Sequence, residues 1–368
     1  MNRYLAISSL LEERLQRGDY ALRALPSERR LADELDVSRV TVRKALRLLE
    51  QRGMLGDRGG ARAKGGAVSA NAVEARPAVP KAMQLAFLMP PVVSHEVQMW
   101  QRSVEQAALV YGAVLRTVVY VAWTDAIVND VLGNFDGVFI IDAGGPIPSG
   151  VLDKIKASST PVVSLIGDLS HEGIPSVVNF PRRCGDVLLD HCVALGHRRI
   201  ACVNTYAAVP NVQGRIADWQ AYMSERGLSG PLINQYLALG RGGSDAARQA
   251  YAEVSRLLDS KSLDATALFC TAVWSALGAM KAVRAHGLVI GRDVSICCMN
   301  DEGMAEWQEP ELTCLRSDDP TALLAPCVDW IARRGRDWLG PLLITPRQST
   351  IFVGKSVGAI SEPSAPVA

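Results

Sequence analysis

The chain has 368 residues, 48% of them hydrophobic and 21% charged. That is an ordinary globular composition and more chain than one compact core uses, so two or three domains are expected. The formal net charge is only +1, but residues 1–66 hold 14 Lys+Arg against 9 Asp+Glu, which leaves 25 against 29 for the rest. A basic head on an acidic body confines any polyanion partner to the head.

No apolar run reaches the roughly 18–20 residues of a membrane span, and the N-terminus MNRYLAISSLLEERLQRG lacks the apolar core of a signal peptide. The eight cysteines (184, 192, 202, 270, 297, 298, 314 and 327) show no Cys-x-x-Cys spacing and mostly sit in apolar runs. They read as buried free thiols in a reducing cytoplasm rather than disulfides or metal ligands.

Chemistry-bearing patterns begin at Leu25-Pro26-Ser27, a helix start with Ser27 as N-cap. Leu31, Ala32 and Leu35 give an apolar face, and Asp36-Val37-Ser38 is a tight connection with Ser38 as the next N-cap. Val42, Ala45, Leu46 and Leu49 then fall at i, i+3, i+4 and i+7, so Arg39, Thr41, Arg43, Lys44 and Arg47 face outward. Two short helices so arranged form a helix-turn-helix whose second helix fits a DNA major groove, where Arg matches the edge of guanine. On charge alone, a solvated basic helix explains the pattern equally well.

The longer motif resembles the winged helix-turn-helix head of the GntR family of bacterial transcription regulators: LPSER (25–29), LA (31–32), VSR (37–39), TVR (41–43), AL (45–46), LE (49–50) and GML (53–55). The resemblance runs from about Tyr4 to Gly60. It implies DNA contacts by Arg29, Ser38, Arg39, Thr41, Arg43 and Lys44, with Gly60 at a wing tip and Arg58, Arg62 and Lys64 near minor groove or phosphate. The head is taken as 1–66 and a Gly/Ala/Pro-rich linker as 67–81.

From about 82 to 356, short apolar runs alternate with amphipathic segments, the signature of βαβ units and parallel sheets covered on both faces. This stretch resembles the LacI-family sensor, a two-lobed periplasmic-binding-protein-like domain. LGHRRIA (195–201), RIADWQAYMSERGL (215–228), ALGAMKAVRAHGL (276–288) and GRDVSI (291–296) carry that resemblance. The fold class is therefore α/β: a winged helix-turn-helix domain plus two lobes of parallel sheets flanked by helices, with 357–368 as a flexible tail. The mixed architecture is similar to that of arabinose-type regulators.

The order of elements suggests one lobe of about 83–204 with a returning strand near 300–318. The second would hold about 205–298 and a strand near 345–353. Crossings would fall near 204–210, 300–310 and 340–346, and a strand is expected at Leu237–Leu239. By family position the ligand pocket would take Arg215 and Asn300, with Trp274 nearby; His95, Glu96 and Trp100, after the first strand, join them. Trp100, Trp123 and Trp219 are candidate stacking surfaces, although a core role suits each better. Val273, Phe180 and Asn300 stand where relatives carry Asp or Asn. That change points to a modified, less polar or acidic carbohydrate rather than an ordinary hexose, since each hydrogen bond to a charged group is worth about 1.5–3 kcal/mol.

No nucleophile elbow, zinc-protease motif, P-loop or dinucleotide fingerprint is present, and Gly144-Gly145-Pro146 reads as a turn as readily as a phosphate loop. No cofactor or metal is expected, and His197 is expected to pack or cap. The leading reading is a homodimeric, ligand-responsive regulator, not an enzyme, with double-stranded operator DNA and a small carbohydrate-like effector as partners and no membrane. Repression relieved by ligand leads over corepression. The alternative is a carbohydrate-binding protein with no DNA role.

Overall fold

Strands of two to six residues, mostly buried on both faces, build two separate sheets in the computed structural model. The structure describes residues 3–16, 19–20, 25–55, 82–92, 94–142, 147–238, 243–316, 319–336 and 338–360. The wing with Gly60, the linker 67–81, Gly144-Gly145-Pro146 and residues 361–368 lie outside the described residues.

The head consists of α1 (Arg3–Gln16), α2 (Glu28–Glu34) and α3 (Arg39–Gln51). Ser27 caps α2 by accepting from the Arg30 amide, and Ser38 caps α3 by accepting from the Thr41 amide at 3.2 Å. The apolar stripe Val42, Ala45, Leu46 and Leu49 meets Leu11 of α1 and Leu31 of α2 in one small core. Ion pairs Arg52–Glu12 (2.7 Å) and Arg14–Glu34 (2.6 Å) tie α1 to the other two helices.

The body begins with β1 (Gln84–Met89), α4 (His95–Leu109), β2 (Val114–Val119), α5 (Ala126–Asn134), β3 (Gly137–Ile141), α6 (Ser149–Ala157), β4 (Val162–Leu165) and β5 (Ser176–Val177). It continues with α7 (Asp186–Ala194), β6 (Ile200–Asn204), α8 (Pro210–Glu225), β7 (Leu232–Asn234), α9 (Ser244–Asp259), β8 (Ala267–Cys270) and α10 (Val273–Ala285). The last elements are β9 (Ser295–Met299), β10 (Thr313–Arg316), α11 (Thr321–Ala332), β11 (Leu343–Ile344) and β12 (Thr350–Phe352).

The first sheet, β11-β5-β4-β3-β1-β2, is parallel throughout. The second, β12-β10-β9-β8-β6-β7, is parallel except for β12 against β10. Each sheet has apolar cores on both faces, as parallel sheets require. Two lobes thus form as expected, but with different membership. β6 belongs to the second lobe rather than the first, and so does β10, the strand expected to return near 300–318. It is α11 that returns to the first lobe, where Leu324, Cys327, Val328 and Ile331 join the core around Phe87 and Trp100. The crossings therefore lie between Val177 and Asp186, between Arg316 and Thr321, and between Ile344 and Thr350.

Two local expectations also give way. Leu237–Leu239 forms no strand among its described residues; Leu232–Asn234 pairs with β6 instead. Gly230 permits this, because a Cβ there would sit 2.1 Å from the Ile200 carbonyl oxygen. Residues 357–360 are not a free tail. Val357 is buried, the Gly358 amide donates to Ser295 Oγ and the Ile360 amide to the Leu195 carbonyl.

Helices α9 and α10 pack closest at Gly278, where an added Cβ would lie 2.2 Å from the Ala247 carbonyl oxygen and 2.7 Å from Ala250 Cβ. Gly278→Leu is therefore expected to destabilise the second lobe by about 1–3 kcal/mol or more, read as a lowered thermal midpoint. Gly133→Ala on α5, which meets nothing within 4 Å, should leave that midpoint unchanged or slightly raised.

Candidate functional site

Two surfaces carry the unexplained chemistry, one on the head and one between the lobes. On the head, Arg29, Ser38, Arg39, Arg43, Lys44 and Arg47 are exposed and Thr41 is half-buried. Exposure follows from helical phase, since the opposite face of α3 fills the head core. Arg43 is not free: its Nε donates to Glu28 Oε1 and Oε2 at 3.1 and 3.0 Å, and its Nη2 to Oε2 at 2.8 Å. Arg43, with Arg39 and Arg47 beyond it, holds the Glu28 carboxyl below the usual carboxylate range. The Ser38 and Thr41 hydroxyls are 2.8 Å apart and bonded to each other. Val40, 60% exposed, was not anticipated as part of this face; an apolar residue left outward at the start of such a helix was its signal.

Between the lobes, a cavity of about 820 Å³ is bounded on one side by Asp142, Ile166 and Asp168 at the ends of β3 and β4. Phe180, Arg215 and Asp218 bound the other side. A second cavity of about 330 Å³ lies between the start of α4, with His95, Glu96 and Met99, and the turn after β9, with Asn300, Asp301 and Glu302. The strand ends of both sheets open here, where parallel α/β sheets place their ligands.

Arg215 joins the two cavities. It lines the larger one, while its charge acts on Glu96 and Glu302 in the smaller one. Its Nη1 donates to the Thr271 carbonyl at 2.8 Å and its guanidinium lies 5.6 Å from the Phe180 ring centre. Phe180, at a position where an acid or amide was expected, thus supports the arginine. Burial raises the Glu96 carboxyl above its ordinary range, with Glu302 adding to the effect; Arg215 and the Asn300 amide oppose it. Burial likewise raises Glu302, against hydrogen bonds from the Trp274 indole and the His95 backbone amide. Tyr206, at the end of β6, is raised chiefly by burial and then by Glu302.

The structure therefore brings together His95, Glu96, Arg215, Trp274 and Asn300. Trp100 is a correction: it is fully buried in the first-lobe core with Val97 and Val104. Ser94 caps α4, and that start sets a helical phase that turns Val97, Trp100 and Val104 toward the sheet and Glu96 and Met99 toward the cleft. Val273 is core, and Trp123 stacks on Tyr120 with ring centres 4.4 Å apart. Trp219 is largely buried and lines the larger cavity. Glu302 and Tyr206 were missed. Their signal was position, since Asn300-Asp301-Glu302 and Asn204-Thr205-Tyr206 both end a buried strand. His197 bonds Thr266 Oγ1 at 2.9 Å and donates to the Gly358 carbonyl at 3.0 Å, a structural role. All eight cysteines are buried free thiols. Among the described residues no helix is long and apolar enough to cross a membrane, and no His/Cys/Asp/Glu group is arranged to hold a metal ion.

Comparison with known proteins finds matches in two stretches of the chain. Residues 3–64 match the model of bacterial regulatory proteins of the gntR family, and residues 189–335 match a periplasmic binding protein-like domain. The lactose operon repressor of Escherichia coli (strain K12) is 27% identical over 165 residues, 45% of this chain and 44% of that one. The chain spans about half the length of the curated relatives it matches. Among solved structures, the lac repressor dimer bound to operator and the anti-inducer ONPF is similar with a TM-score of 0.60 at 19% identity, covering 76% of this chain and 96% of that one. The LacI family regulator CCPA from Weissella paramesenteroides with bound sucrose has a TM-score of 0.61 at 19% identity, covering 76% of this chain and all of that one. The chain thus joins a helix-turn-helix head that matches the gntR family model to a two-lobed body of periplasmic-binding-protein-like fold.

Proposed function

We propose that the chain is a cytoplasmic, ligand-responsive transcription regulator, a repressor, that binds operator DNA as a homodimer and is not an enzyme. The observation that carries this reading is the joining of an arginine-rich recognition helix to a two-lobed cleft in one chain. A relative named as a repressor and a similar dimer solved on operator support it. Arg39, Arg43 and Thr41 would face base edges, with Arg29, Ser38 and Lys44 toward phosphates. The wing with Gly60 would complete the contact.

One small head offers too little surface for tight operator binding, so two copies on a two-fold site are expected. The edge strand β2 and the end of α4 offer an apolar surface for pairing: Val110 is 82% and Val121 78% exposed, with Leu109, Tyr111 and Val119 beside them. The effector, of the sugar class, would sit in the cleft against Arg215, Glu96, Asn300 and Trp274. By binding one lobe arrangement better than the other it would change the spacing of the two heads.

Three variants test this. Arg43→Ala should weaken binding to a selected operator by roughly 1–3 kcal/mol in fluorescence anisotropy while barely changing binding to random DNA; an equal loss on both would mean that Arg43 touches only phosphate. Glu28→Ala, which frees Arg43, should narrow the gap between operator and random DNA. Arg215→Ala should leave operator affinity intact and abolish its response to effector. An effector affinity unchanged by calorimetry would remove Arg215 from the site.

A further inference from the structure

The carboxyls of the smaller cavity are not compensated alike. Asp301 and Glu306 both pair with Arg316, at 3.5 and 2.8 Å. Among the described residues, no ion pair within 4 Å engages Glu96 or Glu302. Their neighbours are neutral donors: the Asn300 amide for Glu96, and the Trp274 indole and His95 backbone amide for Glu302. The one cation acting on both is Arg215, whose Nη1 is already committed to the Thr271 carbonyl. The two half-buried carboxyls thus face one cavity with no ion-pair partner of their own among the described residues, and Arg215 is the cation whose charge reaches both. Leaving a buried charge unpaired is costly, and the larger cavity adds no spare cation. There Arg182 is held by Asp218 at 2.8 and 3.0 Å, and of the other carboxylates lining it Glu172 pairs with Lys156 and Asp186 with Arg183.

Resting on the sensor reading above, we propose that the cleft is built for an effector carrying a protonated amine, an amino sugar, with its ammonium held between Glu96 and Glu302 and its hydroxyls by Arg215 and Asn300. An ammonium supplies the missing positive charge and three donors to a carboxylate pair that already has its neutral donors. A neutral sugar offers hydroxyl donors but brings no positive charge to favour the ionised carboxylates. An acidic sugar adds a third anion beside two, so the acidic alternative raised by the sequence is the one this geometry disfavours most. The half-buried Trp274 beside Glu302 offers an aromatic surface that suits the apolar face of a sugar ring and a nearby cation.

The test is calorimetric titration of the full chain with D-glucosamine, D-galactosamine and D-mannosamine, alongside the parent hexoses and D-glucuronate, at pH 7. At least one amino sugar is expected to bind about tenfold or more tighter than its parent hexose, since hydrogen bonds to charged groups are strong, with glucuronate weakest. Glu96→Gln and Glu302→Gln, made singly, should erase that preference while an unshifted or raised thermal midpoint shows that each variant folds. A hexose or glucuronate binding as tightly as the amino sugars would overturn the amine and keep the sensor. Binding by no member of the panel would overturn the amino sugar too, and operator binding by the same preparation then decides separately whether the regulator reading stands.

Discussion

Arg215 is the interaction on which the body of this protein turns. It is the cation that both Glu96 from the first lobe and Glu302 from the second sense, so it links the two sheets electrostatically across their cleft. Its own position is fixed from three directions: α8 supplies the backbone, the Thr271 carbonyl takes its Nη1, and Phe180 at the first crossing lies under its plane. The β-sheets could fold as separate layers, but this constellation exists only when the strand ends of both lobes face each other. Any ligand that neutralises or displaces these charges acts directly on the relation between the lobes.

The head obeys a simpler rule. Its three helices bury a handful of apolar side chains, and the exposed side of α3, with Arg39, Arg43, Lys44 and Arg47, is what the core does not use. Glu28 adds a constraint that charge counting hides. By holding Arg43 in a fixed fork it lowers the free positive charge of the recognition face and orients a side chain that would otherwise sample many rotamers. Head and body also meet directly, through an ion pair of 2.7 Å between Asp19 and Arg116 on β2.

Much of this was legible in the sequence because it rests on local rules. Ser27 and Ser38 cap the helices that their side chains predict, and the stripe Val42, Ala45, Leu46, Leu49 is the buried face. Buried five-residue runs such as Gly137–Ile141 announce central parallel strands. The errors fall where tertiary context decides. β5 has two residues and β11 two, too short for any periodicity, so the first crossing was placed after β6 instead of before α7. β10 looks like a strand from either lobe until its partner β9 is known. β7 depends on a close backbone approach at Gly230, which composition does not reveal. Within the cleft, His95, Glu96, Trp274 and Asn300 were readable from position, whereas Trp100 was misplaced by one helical phase. Glu302 and Tyr206 emerged only when strand ends distant in sequence were brought together.

The central claim is that the head reads DNA sequence as part of a two-fold assembly. Selection of bound sites from a random DNA library by the full chain, followed by salt titration on the winning site, tests it most directly. The account predicts a two-fold symmetric site bound far more tightly than random DNA, with discrimination that persists as salt rises. Weak, sequence-blind binding that vanishes steeply with salt would contradict it and reduce the head to a basic surface.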